Sequence, residues 1–311
     1  MARQCGFLVA LILVIGSASA AAPRLAFQSA GQGLYDFDTG TLRGRLKADG
    51  KYQGIYPLVD VASGMELVHP PGVFSFYRVL ACNKRHGNTA RDWPTATRLL
   101  ADGSVEVRWP AAADHPLEIT GIYRWKAADT LDLDITVKPQ QALSQFELFM
   151  SSYFTKTFRV SVYLRPDGQP QGQPRFVPVD RKPQSKGSFV MFPRDKQAVK
   201  WIQDGRWKLG SNPVDWAIEH GLAAPIILRR DERHDLTALT MSPPGDCFAV
   251  ASPWNPAQLD AGGYRSVYLS LFGQDLQAGQ TARARCRLVI GYKISDQEAV
   301  ERFQNYIREQ K

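Results

Sequence analysis

The stretch "LEITGIYRWKAADTLDLDITV", residues 117–137, decides the fold. In its second half Leu131, Leu133, Ile135 and Val137 alternate with Asp132, Asp134 and Thr136. Successive side chains of a strand point to opposite faces. This alternation is therefore that of an antiparallel strand with one face in a core and one in water. "AADT" supplies the turn to the strand before it. "SVEVRW" (104–109), entered through the turn "LLADGS", completes a meander.

Outward from this meander the period of two persists. "FELFMSSYF" (146–154) and "FRVSVYL" (158–164) continue it, and strands resume at 225–230, 236–242, 247–252, 265–273 and 282–292. Between them, residues 165–187 form a Pro/Gly-rich stretch with five prolines. It reads as a long loop, because proline cannot donate to a central ladder. A Trp-bearing segment, 200–221, follows it. Only the tail changes period. Ala299, Val300, Phe303 and Ile307 make one apolar stripe behind Ser295 and Glu298, the spacing of a capping box, which predicts a helix over 296–309. The pattern predicts an all-β protein, a large antiparallel β-sandwich closed by one C-terminal α-helix.

The chain has 311 residues. Residues 1–20 read as a signal peptide: Arg3, the short apolar run "GFLVALILVIG", then "SASA" before a cleavage point after Ala20. That run is too short to span a bilayer. The expectation is a secreted or periplasmic protein, with residues 21–311 as a single β-sandwich domain. Net charge is +8, and removing Arg3 leaves +7. This suits an anionic partner such as an acidic polysaccharide, or serves ordinary solubility. The absence of a dense Lys/Arg run argues against nucleic acid. Cys82, Cys247 and Cys286 remain after cleavage; either Cys247 and Cys286 pair, or all three are separate thiols. No spacing resembles a zinc site, and no cofactor motif is present, neither a Gly-rich phosphate loop nor G-x-S-x-G or H-E-x-x-H.

Three segments carry a resemblance. "GIYRWKAADTLDLDITVKP" (121–139) resembles the strand pair of galactose mutarotase-like proteins. "FELFMSSYF" resembles their "N-H-S-Y-F-N-L" strand, and "LSLFGQDLQAGQTARARCRLVIG" (269–291) their closing segment. The resemblance implies the supersandwich fold shared by aldose epimerases and polysaccharide lyases, with a concave sheet face that handles carbohydrate. It also implies a departure. Where aldose epimerases carry a general-acid histidine, this chain has Ser151, which does not donate a proton as an imidazolium does.

The richest chemistry lies in "YRVLACNKRHGNTARDWP", residues 77–94. Asn83 and Arg85 resemble an Asn-Arg pair that binds sugar hydroxyls in this superfamily. His86 titrates near neutrality and is a candidate acid or base. Arg91 offers a planar fork for a carboxylate. Asp92 pairs with Arg91 or orients His86. Trp93 and Tyr77 offer flat faces to a sugar ring. On the strand 146–154, Glu147, Ser151 and Tyr153 share one face, which makes Glu147 and Tyr153 further catalytic candidates and Lys156 a neutralising cation. We expect 83–92 to fold over that face. Two readings follow: a lyase or epimerase working on poly- or oligosaccharide, or a non-catalytic glycan-binding protein. A cell-envelope structural role is a third.

Overall fold

The computed structural model describes residues 24–81, 83–166, 171–255 and 266–310. The expected signal peptide and Cys82 lie outside them. Four strands, β1 (Gln28–Gly31), β2 (Leu34–Asp38), β3 (Leu42–Lys47) and β4 (Gly54–Asp60), pair in that order as a small antiparallel sheet. Next come β5 (Ser75–Ala81), β6 (Lys84–His86), β7 (Ala96–Leu99), β8 (Val105–Trp109), β9 (Leu117–Ala127), β10 (Thr130–Pro139) and β11 (Leu143–Tyr153). Then follow β12 (Arg159–Leu164), β13 (Arg175–Pro178), β14 (Phe189–Pro193), helix α1 (Lys196–Ile202), β15 (Ala217–Ile218) and β16 (Leu222–Asp231). Last are β17 (Leu236–Met241), β18 (Cys247–Pro253), β19 (Ser266–Leu276), β20 (Ala282–Tyr292) and helix α2 (Asp296–Glu309).

These later strands form two large sheets. One has nine strands in the order β13-β12-β16-β17-β20-β10-β9-β8-β7, and the other seven in the order β15-β14-β18-β19-β11-β5-β6. The meander, β8 to β10, lies toward the β7 edge of the nine-stranded sheet. Leu133 stands opposite Tyr123 on β9 and Cys286 on β20, so the apolar face read from the sequence is the face turned to the core. One apolar cluster draws on all three sheets, from Phe37 and Leu46 through Leu133 and Ile135 to Leu148 and Leu271. The architecture is the expected antiparallel sandwich.

Both large sheets also cover their outer faces. On the nine-stranded sheet, Ala299, Phe303 and Tyr306 of α2 pack on Ile226, Leu228, Leu239 and Met241. Such burial is worth about 1.5–3 kcal/mol for each large side chain. Ser295 Oγ accepts the Glu298 N–H at 3.1 Å, as the capping box predicts, but the Glu298 carboxylate takes Arg302 Nε at 2.9 Å instead of reaching back. On the seven-stranded sheet, Trp207, Ala198, Ile202 and the half-buried Trp216 pack on Phe149, Met191 and Tyr268.

Two expectations are corrected, and of the two readings left open for the cysteines one is found. The stretch 165–187 is not all loop, because β13 adds itself to the edge of the nine-stranded sheet, where a proline at the strand end is tolerated. A second helix exists: α1 is short, capped by Asp195, whose Oδ1 accepts the Ala198 N–H at 2.8 Å. Cys247 and Cys286 are buried free thiols. They sit on strands of different sheets, where each serves as a small apolar core residue.

Candidate functional site

Residues 75–81 read as a buried apolar strand interrupted by an arginine. The pairing of β5 with β11 explains how that arginine is placed. Phe149 stands opposite Arg78, but Met150 stands opposite Phe76, so Tyr77 is the extra residue of a bulge. Two consecutive side chains, Tyr77 and Arg78, thereby join the outer face of the seven-stranded sheet. Arg78 is 0 % exposed. Its Nη2 donates to the carbonyls of Ser211, at 3.4 Å, and of Asn212, and its Cζ lies 5.0 Å from the ring centres of Tyr77 and of Trp207. Nε and Nη1 are buried without a partner among the described residues. Burying a guanidinium with no carboxylate is costly.

Arg91 approaches the same ring from a one-turn 3-10 helix, Ala90–Asp92. That turn is stitched to the β3–β4 connection: the Gln53 N–H donates to the Arg91 carbonyl at 3.0 Å, and the Tyr52 N–H to Asp92 Oδ1 at 2.7 Å. Three tyrosine rings surround the Arg91 guanidinium, Tyr77 at 5.0 Å and Tyr52 and Tyr153 at 5.6 Å each. Its Nη1 donates to the Tyr153 hydroxyl at 3.2 Å. Tyr52 is 54 % exposed, so the cage opens to solvent on that side. Such cation–ring contacts are worth about 0.5–2 kcal/mol each.

Arg85 completes the set. It stands opposite Leu80, which faces outward, so Arg85 does too. Its Nη1 donates to the Ser211 carbonyl at 2.8 Å. Burial, reinforced by the charge of Arg78, lowers its pKa. Among the described residues none of Arg78, Arg85 and Arg91 has a carboxylate partner; they end on carbonyls and rings.

Glu147 lies at the far end of this face under the Trp-bearing segment. It is 0 % exposed, and its Oε2 accepts from Arg206 Nη1 at 3.5 Å. Arg206 also binds Asp204 Oδ2 at 2.7 Å and the Gln145 carbonyl at 2.8 Å. Burial pushes the Glu147 carboxyl up to about 7, against the pull of Arg206. The pair anchors the segment that carries Trp207 and Trp216, which rest on Phe149 with ring centres 4.6 and 5.8 Å away.

The sequence-based candidates therefore separate. Arg85, Arg91 and Tyr153 share the outer face with Tyr77. Glu147 shares it too, but is fully buried and paired with Arg206, which corrects its expected role in proton transfer to substrate. His86 is likewise corrected. It stands opposite Val79, a core residue, so strand alternation sends it to the inner side of the sheet edge, away from Tyr153. It is 7 % exposed, and burial lowers its pKa. Trp93 offers no face to a sugar: it is a core residue stacked on His115 at 3.7 Å. Asp92 serves the Tyr52 N–H and orients neither His86 nor Arg91. Asn83 sits exposed at the apex of the β5–β6 hairpin with φ 53, a conformation asparagine tolerates. Lys156 is exposed beyond the end of β11. Ser151 is buried, and its hydroxyl donates to the Ser75 carbonyl at 2.9 Å. Arg78 and Tyr52 were missed. The signal for Arg78 was a lone charge inside an apolar run.

No family model and no curated protein sequence matches the chain. Solved structures do resemble it. A protein from Synechocystis sp. PCC 6803 is 9 % identical, with 89 % of this chain and 98 % of that one covered and a TM-score of 0.51. A candidate aldose 1-epimerase from Escherichia coli K12 is 11 % identical, over 83 % of this chain and 99 % of that one, with a TM-score of 0.47. A heparan sulfate lyase from Pedobacter heparinus is 9 % identical over 87 % of this chain and 37 % of its own, with a TM-score of 0.46. The neighbours thus include a candidate aldose 1-epimerase and a heparan sulfate lyase, to which the chain is distantly similar. At these identities the likeness is one of fold.

Proposed function

We propose that this is an exported protein that binds an acidic carbohydrate on the outer face of the seven-stranded sheet, with Arg91 as the group that receives a carboxylate or sulfate. The observation that supports this is the arginine set without carboxylate partners. A cation left unneutralised beside tyrosine rings suits an anionic sugar, whose ring stacks on an aromatic face while its acid group takes the guanidinium fork. The N-terminal "GFLVALILVIG" and "SASA" support export.

A second reading, elimination, is favoured by one contact, the Arg91 Nη1 to Tyr153 hydroxyl bond of 3.2 Å. A lyase needs a base for the proton beside a uronate carboxylate and a cation that neutralises that carboxylate. Tyr153 and Arg91 supply these two roles. Epimerase chemistry with a histidine acid is not supported, since Ser151 stands in that place. Calorimetry with acidic and neutral oligosaccharides tests binding, and absorbance of unsaturated products tests elimination. Arg91→Gln is expected to weaken acidic ligands at least tenfold and to spare the fold. Tyr153→Phe is expected to abolish turnover while leaving binding within about threefold. Equal affinity for neutral and acidic sugars, or an unaffected Arg91→Gln variant, contradicts the reading.

A further inference from the structure

A second basic feature lies beyond the tyrosine cage, at the β6 edge of the same sheet. A groove of about 310 Å³ opens beside the β5–β6 hairpin, with Lys84, Arg85 and Asn88 on one wall and Leu209, Gly210 and Ser211 on the other. No carboxylate among the described residues lines it. Arg85 is fixed there by its 2.8 Å bond to the Ser211 carbonyl. Gly210 makes the close approach possible: its φ is +71°, and a Cβ at this position would fall 3.2 Å from Arg85 Nη1. Lys84 is exposed, with no partner among the described residues.

The groove and the cage are linked through Arg78. The guanidinium carbons of Arg78 and Arg91 are each 5.0 Å from the Tyr77 ring centre, and so no more than about 10 Å apart. Arg78 and Arg85 share the Ser211 carbonyl at 3.4 and 2.8 Å, so those two nitrogens are within about 6 Å of each other. Positive charge therefore runs in a row from the groove to the cage. Its buried middle member adds to the field but is closed to contact.

We infer that the groove is a second anion subsite, and that the ligand is a chain with acidic groups on more than one sugar residue. One group meets Arg91 and another meets Lys84 and Arg85. This rests on the reading above and adds to it the length and charge spacing of the ligand. Two linked sites bind one chain more tightly than either binds a monomer, because the second contact is intramolecular. Each neutralised cation also steepens the salt dependence.

The test is a length series of oligogalacturonates, oligoalginates and chondroitin oligosaccharides, from dimer to hexamer, titrated at low and high salt. For the wild type we expect hexamer to bind about tenfold or more tighter than dimer. Lys84→Gln, which alters no described contact, removes part of that gain. The double variant Lys84→Gln with Arg85→Gln removes all of it, so that dimer and hexamer bind alike, with a shallower salt slope. A wild type without length dependence, or a double variant that keeps the full gain, overturns the subsite and leaves the Arg91 cage standing. If no acidic oligomer binds the wild type at all, both readings fall.

Discussion

The two outer faces of the sandwich use arginine in opposite ways. On the nine-stranded sheet, Arg287 holds Asp132 at 2.6 and 2.8 Å and Glu309 at 2.8 Å, Arg302 holds Asp129 and Glu298, and Arg230 holds Asp296. Every one of these arginines meets a carboxylate, and the result ties α2 to the sheet. On the seven-stranded sheet, Arg206 of the Trp-bearing segment is neutralised by Asp204 and Glu147. Arg78, Arg85 and Arg91 end on carbonyls and tyrosine rings. A face built only for cohesion has no need of positive charge kept from its counterions. The proposed acidic-carbohydrate site rests on this contrast.

The largest effect comes from unbalancing the one matched pair on the open face. Arg206→Ala leaves Glu147 buried and unpaired, and removes the anchor of the Trp-bearing segment. A loss of about 3–5 kcal/mol is expected in urea unfolding. Combining Arg206→Met with Glu147→Gln is expected to restore most of it, because no charge is then stranded. A loss under about 1 kcal/mol in Arg206→Ala would mean that the segment is not held by this pair, and that the two faces do not differ as described.

A smaller effect separates Glu147 from catalysis by pH. Its folded carboxyl is raised from 4.5 to about 7 by burial. A raised folded value gives stability that is fully present below the unfolded value and is lost as pH rises through the folded one. Wild type minus Glu147→Gln stability should therefore fall between about pH 4.5 and 7 and be level outside that window. The drop is roughly 3 kcal/mol. A flat difference would mean that Glu147 is ionised throughout. A pH profile of ligand binding that follows Glu147 would return it to the site.

The sandwich was legible because burial on one side imposes a period of two. Leu131 to Val137 record it plainly, and the terminal helix was legible through Ala299, Phe303 and the Ser295 cap. The site was legible only in part. Arg85, Arg91 and Tyr153 were read as candidates from residue type. Glu147 and His86 were misplaced because alternation along a strand does not say what lies above it. Trp207 reaches Phe149 from 58 positions away in the chain, a contact that no local pattern records. The bulge at Tyr77 depends on pairing with β11, and it alone brings Arg78 onto the open face. Helix α1 did carry a signal, Asp195 ahead of Ala198 and Ile202, which is weak in a helix of two turns.

The smallest expected effect is the control that makes the comparison decisive. Arg302 on the helix face is about one-third exposed and lies between Asp129 at 3.1 Å and Glu298 at 2.9 Å. Exposed pairs of this kind are worth about 0–1 kcal/mol, so Arg302→Gln should shift stability by less than about 1 kcal/mol. It removes one positive charge, as Arg91→Gln does. If acidic carbohydrate is held only by the net charge of +8, the two variants should weaken binding equally, since long-range attraction does not depend on which face loses the charge. If the unneutralised arginines form a site, Arg302→Gln should leave affinity within about twofold while Arg91→Gln loses at least tenfold. Parallel titrations at two salt concentrations separate the cases. Equal losses in both variants would reduce the open face to ordinary surface charge and remove the contrast between the two faces.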